Sequence, residues 1–146
     1  MVSEMRFIFN IHNDEQLKNA MEKPNVSLLC LMEADFFILA DQKIFFVDQY
    51  INVLELIANL EKPIKKIRDY HKFAYKSMDY DEPILEFKKV GKDIWEMRSI
   101  WSYVPNDRIC FEDNVLMSAF EELCLSINEW LKHFYGVSIE DVLRVC

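Results

Sequence analysis

The stretch FFILADQKIFFV, residues 36–47, decides the fold. Phe36 to Leu39 and Ile44 to Val47 are runs of aromatic, β-branched and aliphatic residues, and Asp41-Gln42-Lys43 between them is polar and turn-forming, so the segment predicts strand, turn, strand. A hairpin this apolar needs a cover, and the chain supplies one on its C-terminal side. Asp48 is a candidate N-cap, and Tyr50, Val53, Leu54, Ile57, Leu60, Ile64 and Ile67 then recur at helical spacing, predicting a first long helix that runs to about Tyr70. Pro63 lies inside this stretch, where it removes a backbone hydrogen bond and crowds the carbonyl of Asn59, so a kink or break is expected there. On the N-terminal side, Met5 to Ile11 reads as a strand. Asp14 to Glu22 reads as a short helix that ends before Pro24.

Downstream the period changes to two. Leu85 and Phe87 alternate with Glu86 and Lys88, and Trp95, Met97, Trp101 and Tyr103 share a side opposite Glu96 and Arg98. Val90-Gly91-Lys92-Asp93 supplies a turn, with Gly91 the expected carrier of a positive φ, and Val104-Pro105-Asn106-Asp107 supplies the next. Arg108 to Glu112 is a further short strand. A second long helix follows Asp113 or Asn114, with Leu116, Ala119, Phe120, Leu123, Ile127, Trp130, Leu131 and Phe134 on one face and Gly136 at its C-terminal end. Ser138-Ile139-Glu140-Asp141 caps a last short helix. The fold class expected is α+β: a mostly antiparallel sheet of about five to seven strands packed against two long amphipathic helices, in one domain over residues 1–146.

Composition narrows function by exclusion. With 25 acidic against 17 basic residues the net charge is −8, which repels phosphate backbones and disfavours nucleic acid as a partner. No apolar run approaches the roughly 18 residues of a membrane span, and Met1 to Met5 carries no secretory pattern, so a cytoplasmic protein is expected. Cys30, Cys110, Cys124 and Cys146 are dispersed, without a C-x-x-C pair, and read as small hydrophobic fillers rather than metal ligands. His12, His71 and His133 sit in unrelated elements. The chain has only two glycines and no nucleophile elbow, P-loop, dinucleotide fingerprint, H-E-x-x-H or EF-hand loop, so catalytic residues, cofactors and metals are all expected to be absent.

What remains is charge placement. Asp79, Asp81 and Glu82 cluster around Tyr80 ahead of Pro83, and Glu112, Asp113, Glu121 and Glu122 form a second acidic group at the second long helix. A solvated turn and helix capping explain the same residues. The interval from Lys62 to Lys76 is the one basic stretch, with Lys65, Lys66, Arg68 and Lys72 between its ends and Tyr70, Phe73 and Tyr75 interleaved. The aromatic row led by Trp95 reads as core, with Tyr103 or Trp101 as the more external member. The alternative is a small enzyme or ligand-binding domain whose pocket is lined by Trp95, Trp101, His71 and an acid.

The order of these segments carries a resemblance. An apolar hairpin is followed by VDQYINVLEL (47–56), then FAYKSMDYDEP (73–83), then Ile94-Trp95 and Ser99-Ile100-Trp101, then a terminal amphipathic helix. Over roughly residues 26–135 the layout resembles small acidic immunity proteins of bacterial polymorphic-toxin systems, including those of wall-associated and contact-dependent toxins. Pro63 departs from the uninterrupted helix such proteins would have. The resemblance implies a non-enzymatic inhibitor that occludes the electropositive active site of a cognate toxin domain, often a nuclease. Asp79, Tyr80, Asp81, Glu82, Tyr103, Glu112, Asp113, Glu121 and Glu122 are then the candidate partner-binding residues, the acids steering association and a tyrosine anchoring it.

Overall fold

In a computed structural model the described residues are 1–23, 31–77, 81–99 and 108–145. The hairpin forms as the sequence predicts. β2 (Glu33–Ala40) and β3 (Lys43–Asn52) pair antiparallel around Asp41 and Gln42, whose φ angles of 48° and 68° give the two-residue turn that matches strand twist. Asp41 is held in this left-handed conformation by its carboxylate, which accepts the amides of Ser3 and Glu4 at 3.0 and 2.9 Å. β1 (Met5–Ile11) completes a three-stranded sheet, with Met5 opposite Ala40 and Ile11 opposite Ala34. A bulge between Ile38 and Leu39 leaves Phe45 unpaired on β3, and this irregularity buries both Phe45 and Phe46 although they are neighbours.

β3 continues through Asn52, so Asp48 is not a helix N-cap: it lies within the strand opposite Phe36, and Ile51 pairs with Ala34. α1 (Glu15–Glu22) starts at Asp14, which caps the amide of Leu17. α2 spans Val53–Lys65 and passes through Pro63 without a break. It ends two residues later and gives way to a 3₁₀ turn over Ile67–Asp69, short of the expected Tyr70.

β4 (Lys72–Tyr75), β5 (Leu85–Gly91), β6 (Ile94–Arg98) and β7 (Arg108–Glu112) form a second, four-stranded antiparallel sheet in that order. The chain is therefore α+β with all seven named strands antiparallel, but they divide into two sheets instead of the single one expected. The seam is narrow. Val2 makes an isolated parallel bridge to Phe111 and donates its amide to Cys110 at 2.7 Å, while β1 and β7 do not otherwise pair. At the β5–β6 turn the positive φ falls on Asp93 (56°) and not on Gly91.

α3 (Asp113–Tyr135) packs on β1 and β7 and so covers the seam, and α2 packs on α3 and on the edge strands β3 and β4. On α3, Trp130 is half-buried and Phe134, expected on the same face, is exposed, whereas the buried apolar residues Leu116, Ala119, Phe120, Leu123, Ile127 and Leu131 belong to the predicted stripe. They meet Phe7, Phe36 and Phe46 from the first sheet and Phe87, Trp95 and Phe111 from the second in one core. Phe73 stacks on Phe87 at 4.6 Å and leans on Trp95 at 5.2 Å, and Trp95 and Met97 are buried in the core, while Trp101 and Tyr103 of the same row lie outside the described residues.

Candidate partner-binding groove

α4 (Ile139–Val145) turns the helical layer into a groove. Gly136 at φ 67° ends α3 and donates its amide to Lys132, reversing the chain. Ser138 and Asp141 then cap each other's amides, Ser138 Oγ accepting at 3.1 Å and the Asp141 carboxylate at 3.4 Å, and the Asn128 side chain accepts the Ile139 amide at 2.9 Å. The Ser138 hydrogen bonds hold the Asp141 carboxyl below the usual carboxylate range. Val142 is buried, so α4 is fixed at both its start and its inner face.

Between α2, α3 and α4 lies a half-open groove of about 380 Å³. Ile57, Ile64 and Phe120 form its buried floor, Met117, Cys124, Ile139 and Leu143 are half-buried in its walls, and Leu125 projects at the edge with 63% of its surface exposed. The rim is charged: Glu61, Glu121 and Glu140 against Lys65. Lys65 bonds Glu61 at 2.7 Å, and this contact, with Glu140 nearby, raises the ammonium above its ordinary pKa. Burial, then the Glu61 charge, pushes the Cys124 thiol up to about 11, so it is a protonated wall residue at neutral pH and not a nucleophile. An apolar floor with a mostly acidic rim has the chemistry to accept an apolar side chain flanked by positive charge.

Of the described acids singled out from the sequence, only Glu121 lines this groove. Glu122, 100° around the helix, lines a shallow depression with Glu4, Arg6 and Asn114 instead. The pair also stands eight residues into α3, away from its N-terminus, so it does not form one group with Glu112 and Asp113. Glu112 is exposed, whereas Asp113 is mostly buried with its carboxylate 3.7 Å from Arg68, engaged within the molecule. Asp81 and Glu82 are exposed ahead of β5, at the opposite end of the second sheet from the Asp93 turn and Glu112. The expected acidic surface is thus dispersed over separate faces. Asp79, Tyr80 and Tyr103 lie outside the described residues, as does Trp101, and the aromatic pocket of the alternative reading loses Trp95, which is fully buried.

The basic interval also divides: Lys62, Lys65 and Lys66 crowd the C-terminal end of α2, where they complement the helix dipole, Arg68 faces Asp113, and Lys72 is on β4. His12 bonds Asp35 at 3.0 Å, and among the described residues no three His, Cys, Asp or Glu side chains come together as a metal site. No described helix is long and apolar enough to cross a membrane. Sequence reasoning missed Glu61, Glu140, Met117, Ile139 and Leu143. The available signal was Leu125, one apolar residue on the polar face of α3 between Glu121 and Asn128.

No curated protein and no solved structure matches the chain. One family does, over residues 7–133, a span that runs from β1 almost to the end of α3 and so takes in both sheets and the floor of the groove. The chain belongs to the family described as Domain of unknown function (DUF7878).

Proposed function

We propose that this protein is a non-enzymatic inhibitor that binds a cognate toxin domain through the α2–α3–α4 groove and occludes its electropositive active site. The observation that carries the reading is the groove itself, in which an apolar floor is bordered by Glu61, Glu121 and Glu140. An amphipathic basic segment fits it: an aliphatic or aromatic side chain fills the space over Ile57, Ile64 and Phe120, and flanking lysines or arginines meet the carboxylates. The exposed Asp81, Glu82, Glu112 and Glu122 act at longer range, steering a cationic partner without touching it. The resemblance to small acidic immunity proteins supports the class of partner.

Co-expression tests the reading. A toxin domain encoded beside this reading frame arrests growth when expressed alone, the intact chain restores growth, and Leu125→Asp or Glu121→Lys abolishes the rescue while the far-UV spectrum stays unchanged. Neighbouring frames that encode no growth-arresting domain, or an arrest that the intact chain does not relieve, would refute it.

A further inference from the structure

The outward face of the second sheet carries charge that the groove does not use. Register places Lys72 opposite Lys88 and Lys88 opposite Glu96, and in the next row Ala74 opposite Glu86, Glu86 opposite Arg98 and Arg98 opposite Arg108. These residues share one face, because Tyr75, Phe87, Trp95, Met97 and Phe111 alternate with them and point into the core. Two pairs of like charges therefore stand directly opposed, an arrangement that destabilises a sheet.

The two acids are already engaged. Glu86 bonds Arg98 at 2.6 Å, and Glu96 lies 3.8 Å from Arg108. Among the described residues neither Lys72 nor Lys88 pairs with a carboxylate, although both are exposed and adjacent across the β4–β5 ladder. Over them the face is concave, a half-open trough of about 620 Å³ in which Ala74 leaves a notch between longer side chains, whose aliphatic stems supply apolar surface.

We propose that this trough binds a small organic phosphate, with Lys72 and Lys88 clamping the phosphoryl group and Arg98 as a third donor. Two ammonium groups side by side suit a dianion, which satisfies both, better than a single carboxylate. The volume lies within the usual small-ligand range of roughly 300–1,000 Å³, and the apolar lining accommodates an organic body. A long polyanion is disfavoured, since it would meet the field of a chain with net charge −8, whereas a small ligand meets only the local cations.

The test is titration of the intact, isotope-labelled chain with a nucleoside monophosphate, followed by amide shifts. Saturable shifts at Lys72, Ala74, Lys88 and Arg98 are expected. In Lys72→Glu the affinity falls at least about tenfold while the melting temperature rises, because an opposed Lys–Lys pair becomes Glu–Lys; Lys72→Gln gives a smaller loss without a new ion pair. Leu125→Asp leaves phosphate binding intact, so failure here is distinct from failure of the groove. The assignment is overturned by absence of shifts up to about 10 mM nucleotide, by unchanged affinity in both Lys72 variants, or by an acidic peptide or oligonucleotide that binds this face more tightly than the monophosphate.

Discussion

Tyr75→Phe removes one oxygen atom from the core and is expected to cost far more than its size. The Tyr75 hydroxyl donates to Glu55 Oε1 at 2.9 Å, both side chains are buried, and Glu55 Oε2 has no hydrogen-bond partner among the described residues. Without the phenol, Oε1 loses this donor while Oε2 already has none among the described residues. A hydrogen bond to a charged group contributes about 1.5–3 kcal/mol, and leaving a buried charge uncompensated costs about 3–5 kcal/mol, so the expected loss is about 3 kcal/mol. With a urea slope of roughly 2 kcal/mol/M this moves the unfolding midpoint down by about 1.5 M at unchanged slope. Glu55→Leu with Tyr75→Phe removes both partners and is expected to recover part of the loss, giving a favourable coupling in the double-mutant cycle. Alkaline pH supplies a sign check. Burial, then the Glu55 charge, raises the Tyr75 phenol well above its ordinary value. Its contribution is therefore complete below the unfolded value of about 10 and is lost as pH rises further, so the gap between wild type and Tyr75→Phe narrows above pH ~10. A variant within about 0.5 kcal/mol of wild type at pH 7 would refute the reasoning.

The two glycines are expected to respond differently. Gly91→Ala meets only Ile94 atoms at 3.6 Å or more and needs no positive φ, so urea melts should place it within about 0.5 kcal/mol of wild type; Gly136→Ala, at φ 67° with open space around it, loses about 1 kcal/mol from backbone strain alone. Cys124, with its thiol near 11, is expected to alkylate slowly at pH 7 and faster at pH 9 and above, and peptide mapping after timed iodoacetamide exposure checks this; rapid neutral-pH modification would contradict a wall buried beside Glu61. A Leu/Lys amphipathic peptide should shift the side-chain methyl signals of Met117, Leu125 and Leu143 and lose affinity several-fold in Glu121→Lys, as read by NMR titration.

Much of this fold is legible because local signals agree with tertiary ones. The bounds of β1 and β7, the Asp41-Gln42 turn and the end of α3 at Gly136 follow from period and turn chemistry, and the core confirms each. The start of α2 does not. Asp48 and Asn52 are both good cap residues, and the pairing of Asp48, Ile51 and Asn52 with Phe36, Ala34 and Glu33 across the hairpin keeps residues 48–52 extended. Pro63 stands in the last turn of a helix that ends at Lys65, so the hydrogen bond to Asn59 that it removes is among the last of α2 and the segment before it stays regular. The division into two sheets could not be read from alternation, since period two identifies a strand and its faces but not its neighbour. The same blindness governs the site: Glu121 and Glu122 are adjacent in sequence, yet helical geometry sends one to the groove and the other to the β1 side.

That geometry alters what an excess of acid can mean. A chain with net charge −8 need not present one negative surface. Here the helical layer places Glu61, Glu121 and Glu140 around an apolar groove, while the outward face of β4–β7 carries four cations against two carboxylates. Opposite local signs on different faces orient an approaching partner as well as attracting it, because a cationic domain is drawn to one face and repelled from the other. Net charge then sets the overall rate of encounter and segregation sets its direction. Reversing Asp81 and Glu82, remote from the groove, should therefore slow association at low salt while leaving dissociation unchanged, whereas Glu121→Lys should accelerate dissociation as well.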